Sequence, residues 1–308
     1  MLISEVGQPA QPPSVDDQRP ATTAGRARHE ARGLSVVEIE VGSRCNRRCP
    51  YCPVSMQPKP PVPIWMPDKV FVTTVEQLAD VGFAGRISYH LYNEPLLRKD
   101  LERLIGIVHT LLPEALQLLL SNGDFLTDER YDSLRRAGVD YFFVTRHLPS
   151  GPDYPERPFQ VVQRSGDLIL TNRGGFLEEL PPPPGEAPHT PCWAPSEMLI
   201  VSVTGDVLLC YEDAEREHVM GNVLKTHIAD IWNSERFREY RRRLEQGDRQ
   251  VDAMCTRCSN VAHSRPGLSA LETPVLAATG IARGPDAVAT LKRRSTEGRL
   301  RDGTTTSR

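Results

Sequence analysis

The chain has 308 residues, a formal net charge of −3 and 39% hydrophobic residues. That length suits one large domain and a smaller appendage, and the near-neutral charge leaves no basic footprint of a nucleic-acid binder. No apolar run approaches the roughly 20 residues that span a membrane, and the opening MLISEVGQPAQPP lacks the basic start and apolar stretch of a secretory signal; the expected compartment is the cytosol.

In chain order, residues 1–33 carry prolines and no apolar periodicity, which predicts a disordered leader. From residue 34 to 185 strand and helix patterns alternate. Strands are predicted at 34–41, 86–92, 116–120, 140–145 and 167–171, and helices at 67–81, 98–112 and 127–137. Strands separated by helices imply a parallel sheet with right-handed crossovers. The expected fold is α/β, a partial (β/α)6 TIM-like barrel with its chemistry at the carboxyl ends of the strands. The run PPPPG at 181–185 predicts a stiff linker. A small domain follows over 186–265: a β-hairpin turning at Thr204-Gly205-Asp206, then a helix over 226–246 with Trp232 and Phe237 inward. Residues 266–308, ending GRLRDGTTTSR, predict a second disordered end.

Seven cysteines punctuate this plan, at 45, 49, 52, 192, 210, 255 and 258. The odd number argues against a closed disulfide framework. Cys45, Cys49 and Cys52 follow the first predicted strand with gaps of three and two residues, and can ligate three irons of a [4Fe–4S] cluster. The fourth iron is then left for a ligand that is not protein. Zinc is the plainer alternative, but it asks for a second Cys/His pair, and the nearest downstream histidine is His90 on a predicted strand. Cys192, Cys210, Cys255 and Cys258 form a second set, which by spacing alone suits an iron–sulfur cluster or a structural zinc equally.

The C-x3-C-x-aromatic-C pattern, with Tyr51 as its aromatic, resembles that of the radical S-adenosylmethionine (SAM) enzymes. There the open iron binds the amine and carboxylate of SAM. The order Cys, Gly-x4-Cys, C-x2-C resembles the twitch domain, a shortened SPASM domain holding one auxiliary cluster. The resemblance extends past the cysteines. Phe83-Ala84-Gly85-Arg86-Ile87-Ser88, Asn122-Gly123-Asp124-Phe125-Leu126-Thr127, Asn172-Arg173-Gly174-Gly175 and Val219-Met220-Gly221-Asn222 are similar to stretches of the radical SAM dehydrogenases acting on 2-deoxy-scyllo-inosamine and related aminocyclitols in antibiotic biosynthesis.

That resemblance implies two [4Fe–4S] clusters and SAM as cofactors, an aminocyclitol substrate, and a flavodoxin- or ferredoxin-type electron donor. It implies substrate contacts from Arg173 and Glu212, with Tyr92 beside them. The strand ends supply candidate SAM contacts: Tyr51, Asn93, Glu94, Asn122, Arg146 and His147. Glu94 and Pro95 match a family Gly-Gly-Glu-Pro motif, whereas Tyr92 and Asn93 replace its glycines. The implied reaction removes a hydrogen from a carbinol carbon, then a proton and an electron, giving a ketone. The main alternative is a radical epimerase, which quenches the substrate radical with a hydrogen atom, commonly from a thiol. With the cysteines divided three and four, no thiol is left over. A radical diol dehydratase or decarboxylase, a peptide-modifying enzyme and a zinc- or cluster-stabilised binding module complete the alternatives.

Overall fold

The computed structural model describes residues 30–56, 64–147, 154–180, 189–267, 273–282 and 286–301. Its centre is one eight-stranded sheet in the order β5-β4-β3-β2-β1-β6-β7-β8. The first five strands are β1 (Val36–Ile39), β2 (Arg86–Ser88), β3 (Leu116–Ser121), β4 (Tyr141–Arg146) and β5 (Gln160–Arg164). The helices α1 (Asp68–Asp80), α2 (Leu101–Leu111) and α3 (Asp128–Ala137) link β1 to β4. All neighbours from β5 to β1 are parallel. Such strands are buried on both faces and read as mostly apolar runs, as in VVEI and LQLLLS, with Glu38 and Gln117 as buried polar exceptions inside them.

The unclosed parallel sheet is as expected, but its strand order differs from a simple six-unit barrel. The sixth parallel strand, β6 (Met198–Val201), comes from the C-terminal hairpin and pairs with β1 on the side away from β2. Then β7 (Asp206–Leu208) and β8 (Val219–Asn222) continue antiparallel. The hairpin turns at Gly205, whose φ of +87° suits glycine.

Three predicted elements shift. The fifth strand falls at 160–164 rather than 167–171; QVVQR alternates along β4, whereas Ile169 in the apolar run that follows is exposed. The second strand ends at Ser88 instead of 92, because the chain turns there to form the site. The helix over 226–246 is two, α5 (Ile228–Trp232) and α6 (Glu235–Glu245). Ser234 between them caps α6 by accepting from the Phe237 amide at 3.3 Å. Trp232 and Phe237 are buried as expected.

Registers sort the side chains. Val37, Ile39, Ile87, Leu119, Phe142 and Val144 share one face, packed in a single core with the buried sides of α1–α3. Leu116, Leu118, Tyr141, Phe143 and Val161 share the opposite, inner face. The predicted disordered end covers that face. Residues 273–279 and 287–301 form α8 (Thr273–Thr279) and α9 (Ala287–Arg301), and Val275, Leu276, Val288 and Leu291 join the inner-face cluster. Asp140, fully buried below β4, receives Lys292 Nζ at 2.9 Å and Arg299 Nη2 at 2.8 Å. Two cations of this end, Lys292 and Arg299, are thus paired inside, while Arg293, Arg294 and Arg301 are exposed.

Residues 1–29 of the predicted leader and the linker at 181–185 lie outside the described residues. The last leader residues pack against the C-terminal region, with Trp232 Nε1 donating to the Arg32 carbonyl at 3.0 Å. Among the described residues no helix is long and apolar enough to cross a membrane.

Candidate active site at the carboxyl ends of the strands

Cys45, Cys49 and Cys52 lie on the loop leaving β1. The loop is built for ligation: the Arg47 amide points at Cys45 Sγ at 3.4 Å, and the Cys52 amide closes a turn on the Cys49 carbonyl at 3.0 Å. Asp124, past the end of β3, clamps it. Its carboxylate takes Asn46 Nδ2 at 2.6 Å and Arg47 through both Nε (2.7 Å) and Nη2. Burial opposes ionisation of Asp124, but the Arg47 and Asn46 hydrogen bonds hold its carboxyl below the usual range. Asn122 donates to Asn46 Oδ1 at 2.8 Å and approaches Cys45 Sγ at 3.8 Å.

Burial pushes the Cys45 thiol up to about 11, and the charges of Glu94, Cys52 and Cys49 push the same way. Three half-buried thiols on one short loop suit an iron–sulfur core whose positive charge displaces their protons. Tyr51 and His147 flank them, Tyr51 Oη standing 2.6 Å from His147 Nδ1. Burial, then the charge of Arg47, lowers the His147 imidazole to about 4. Arg146 ends β4 half-buried, within electrostatic reach of Tyr154, whose hydroxyl donates to the Asn122 carbonyl at 2.7 Å.

Two expected SAM contacts have other work here. Glu94 is buried, and its carboxylate accepts from the Leu96 and Asn122 amides and from Ser121 Oγ at 2.8–3.0 Å. It joins the second and third strand ends, while its amide holds the Arg44 carbonyl of the cysteine loop at 2.8 Å. Asn93 folds its side chain back, accepting from the Leu91 amide at 2.9 Å. An asparagine therefore occupies a position where the motif has glycine, with its side chain tucked into its own turn.

The second set converges from separate elements. Cys192 precedes α4 (Ala194–Glu197), Cys210 follows β7, and Cys255 and Cys258 lie in and just after α7 (Ala253–Arg257). All four line one small cavity with Leu209, Leu244 and Met254. The four sulfurs surround one space, which fits a cluster. Burial raises every one of these thiols, Cys258 to about 12. The Glu212 amide points at Cys210 Sγ at 3.5 Å and the Asn260 amide at Cys258 Sγ at 3.4 Å, the hydrogen bonding that tunes cluster sulfurs. Arg249, buried, knits the walls through the Thr190, Cys258 and Asn260 carbonyls at 2.7–3.3 Å.

Between the two sets stand Arg173, Glu212 and Tyr92. The turn Asn172-Arg173-Gly174-Gly175 has three successive left-handed residues. At Gly174 a side chain would stand 2.5 Å from Met254 Cγ, so only glycine lets this turn pack on α7. The turn is tied down by Ser259 Oγ, which accepts from the Asn172 amide at 2.8 Å. Arg173 Nη1 lies 3.5 Å from Glu212 Oε1, and the field of Arg173 reaches Cys52 of the first set. Burial disfavours the charged guanidinium, but the surrounding groups together, Glu212 first among them, more than offset it and keep Arg173 protonated. Glu212 also accepts from Thr171 Oγ1 at 3.0 Å and Asn260 Nδ2 at 2.8 Å. The Tyr92 hydroxyl is spent on the Tyr211 carbonyl, making Tyr92 a wall of the site.

Sequence reasoning missed Asp124, Thr171 and Asn260 as site residues. Asp124 and Asn260 each follow two residues after a site residue, Asn122 and Cys258, which was the available signal. Thr171 had none.

Comparison with known proteins agrees with this geometry. Residues 39–147 match the radical SAM superfamily and residues 192–259 the SPASM iron–sulfur cluster-binding domain. The chain is 37% identical over 238 residues to the S-adenosyl-L-methionine-dependent 2-deoxy-scyllo-inosamine dehydrogenase of Niallia circulans, covering 74% of this chain and 94% of that protein. A GTP 3′,8-cyclase of Aquifex aeolicus is 30% identical over 142 residues, 45% of this chain and 42% of the cyclase. Among solved structures, BtrN in complex with AdoMet and 2-DOIA superposes with a TM-score of 0.71 at 36% identity, covering 77% of this chain and 98% of BtrN. BtrN in an open conformation gives 0.62 at 33% identity, covering 75% and 94%. With both cysteine sets in place and the match running nearly the full length of that dehydrogenase, the chain belongs to the radical SAM family that includes it, with a SPASM-type iron–sulfur domain on its C-terminal side.

Proposed function

We propose that the chain is a dehydrogenase that oxidises a secondary alcohol of an aminocyclitol to a ketone. One observation carries this reading. Arg173 stands between the two cysteine sets, 3.5 Å from Glu212, with its Nε buried and without an acceptor among the described residues. A buried donor left unpaired is costly, and a substrate oxygen placed there would satisfy it.

When bound, SAM and a cluster held by Cys45, Cys49 and Cys52 would supply hydrogen-abstracting radical chemistry, and a cluster held by Cys192, Cys210, Cys255 and Cys258 would supply an electron acceptor. The chain's own residues do the rest. A permanently charged guanidinium donates hydrogen bonds and does not take protons. Arg173 therefore stabilises negative charge developing on the substrate oxygen. Glu212, locked by Thr171 and Asn260, is placed to take the hydroxyl proton or to pair with the substrate's ammonium. Cys45, Cys49 and Cys52 hold the first cluster, and Cys192, Cys210, Cys255 and Cys258 the second. Tyr51, Asn122, Arg146 and His147 line the SAM side. Asn93 is proposed to meet the SAM amine through its backbone, and Glu94 acts by holding the strand ends.

All seven cysteines fall into the two sets, so no free thiol remains to return a hydrogen atom, which disfavours epimerisation. The proposed electron donor is a flavodoxin or ferredoxin, and seven reduced cysteines suit the cytosol. Anaerobic incubation with SAM, reductant and candidate aminocyclitols tests the reading. A product lighter by two mass units supports it. A product of unchanged mass in H2O that gains one mass unit in D2O makes the enzyme an epimerase.

A further inference from the structure

Glu40 follows β1 and is fully buried, on the same inner face as Glu38. Its carboxylate gathers donors from two separate stretches, the Arg216 guanidinium at 2.7 Å and the Val203 amide at 3.0 Å, with the Tyr92 amide nearby. Its own amide donates to the Val201 carbonyl at 2.8 Å. Each stretch carries part of the site. β1 leads into Cys45, Cys49 and Cys52. Tyr92 walls the substrate space. Val203 and Arg216 bracket the segment bearing Cys210 and Glu212.

Arg216 is held at φ +58°, uncommon for a residue with a side chain. Its amide donates to the Asp213 carbonyl at 3.3 Å, and the Asp213 carboxylate binds the His218 amide at 2.9 Å. The loop carrying Glu212 is thus fastened at one end by Glu40 and at the other by its own turn. We infer that Glu40 is a positioning residue for the reaction, holding the Glu212 loop, and through the Tyr211 carbonyl also Tyr92, in register with the cysteine loop while touching no substrate itself. The inference rests on the dehydrogenase reading of the site. Displacement of a reacting group by about 1 Å costs on the order of 100-fold in rate, so a fastening of this kind acts on kcat.

Glu40→Gln keeps the shape and an acceptor for an amide but removes the charge that Arg216 meets; Arg216→Met removes the other half. In the reconstituted enzyme, deuterium uptake over 89–95 and 203–217 should quicken in both variants. The kcat should fall about tenfold with KM changed far less, and 5′-deoxyadenosine released per ketone should rise. The double variant should be no worse than either single one, because the two act as one unit. Unchanged uptake, additive losses, or a fall in kcat with unchanged 5′-deoxyadenosine per ketone would each overturn the assignment. If the wild-type enzyme forms no ketone from any aminocyclitol, the dehydrogenase reading fails, while deuterium uptake still decides the role of Glu40.

Discussion

Tyr51 and His147 meet at 2.6 Å across the mouth of the first cysteine loop, joining the loop after β1 to the end of β4. The contact carries a prediction about acid. Burial lowers the His147 imidazole from near 6.5 to about 4 in the folded chain. Between those values the unfolded chain binds a proton that the folded chain refuses, so stability falls as pH drops from about 6.5 toward 4. Urea midpoints measured across that window should show a shallower slope in His147→Gln than in the wild type. Parallel slopes would remove His147 as the cause.

Asp124 holds the cysteine loop without touching a cysteine. Asp124→Ala frees both Asn46 and Arg47. Reconstituted Asp124→Ala should bind less iron, with the loss confined to the first cluster's EPR signal and the second unaffected. Equal loss of both signals would mean general unfolding.

Arg173 can be tested without disturbing its turn. Its φ is +50°, which glycine adopts freely, so Arg173→Gly keeps the turn while removing the side chain and its guanidinium. Ketone formation should fall by about 10²–10³, the scale of one lost donor to a developing oxyanion, with both clusters intact. Turnover at the wild-type rate would refute the assignment.

The C-terminal helices predict a stability effect. Lys292→Met takes one of two cations from the buried Asp140 carboxylate and should cost about 1–3 kcal/mol. Removing 286–308 takes both and uncovers the inner face of β3 to β5, so the truncated chain should melt lower and self-associate. Calorimetry and gel filtration check the pair.

How much of this was legible follows from range. The first cysteine loop and its place after a strand are local features, and spacing sufficed. Arg173 and Glu212 came from resemblance, since residues 173 and 212 meet only through folding. The fifth strand was misplaced because DLILT is the more apolar run, yet it lacks a neighbouring strand. β5 was overlooked because an edge strand tolerates a polar sequence such as QVVQR. The tail failed for a similar reason: Lys292 finds Asp140 across 152 residues of sequence, and nothing local in a basic stretch announces an internal partner.

β6 lies against β1 in parallel register over four residue pairs, and this bears on separability. A boundary near 185 suggests two units that could be expressed, swapped or inherited apart. The strand pairing forbids that. A fragment ending at the linker would bare the β1 edge, an invitation to pair with other chains, and the remaining piece would carry β6 with no sheet to join. Insertions between the halves should therefore be tolerated, whereas exchange of the C-terminal half between relatives should succeed only when the β1–β6 seam is exchanged with it.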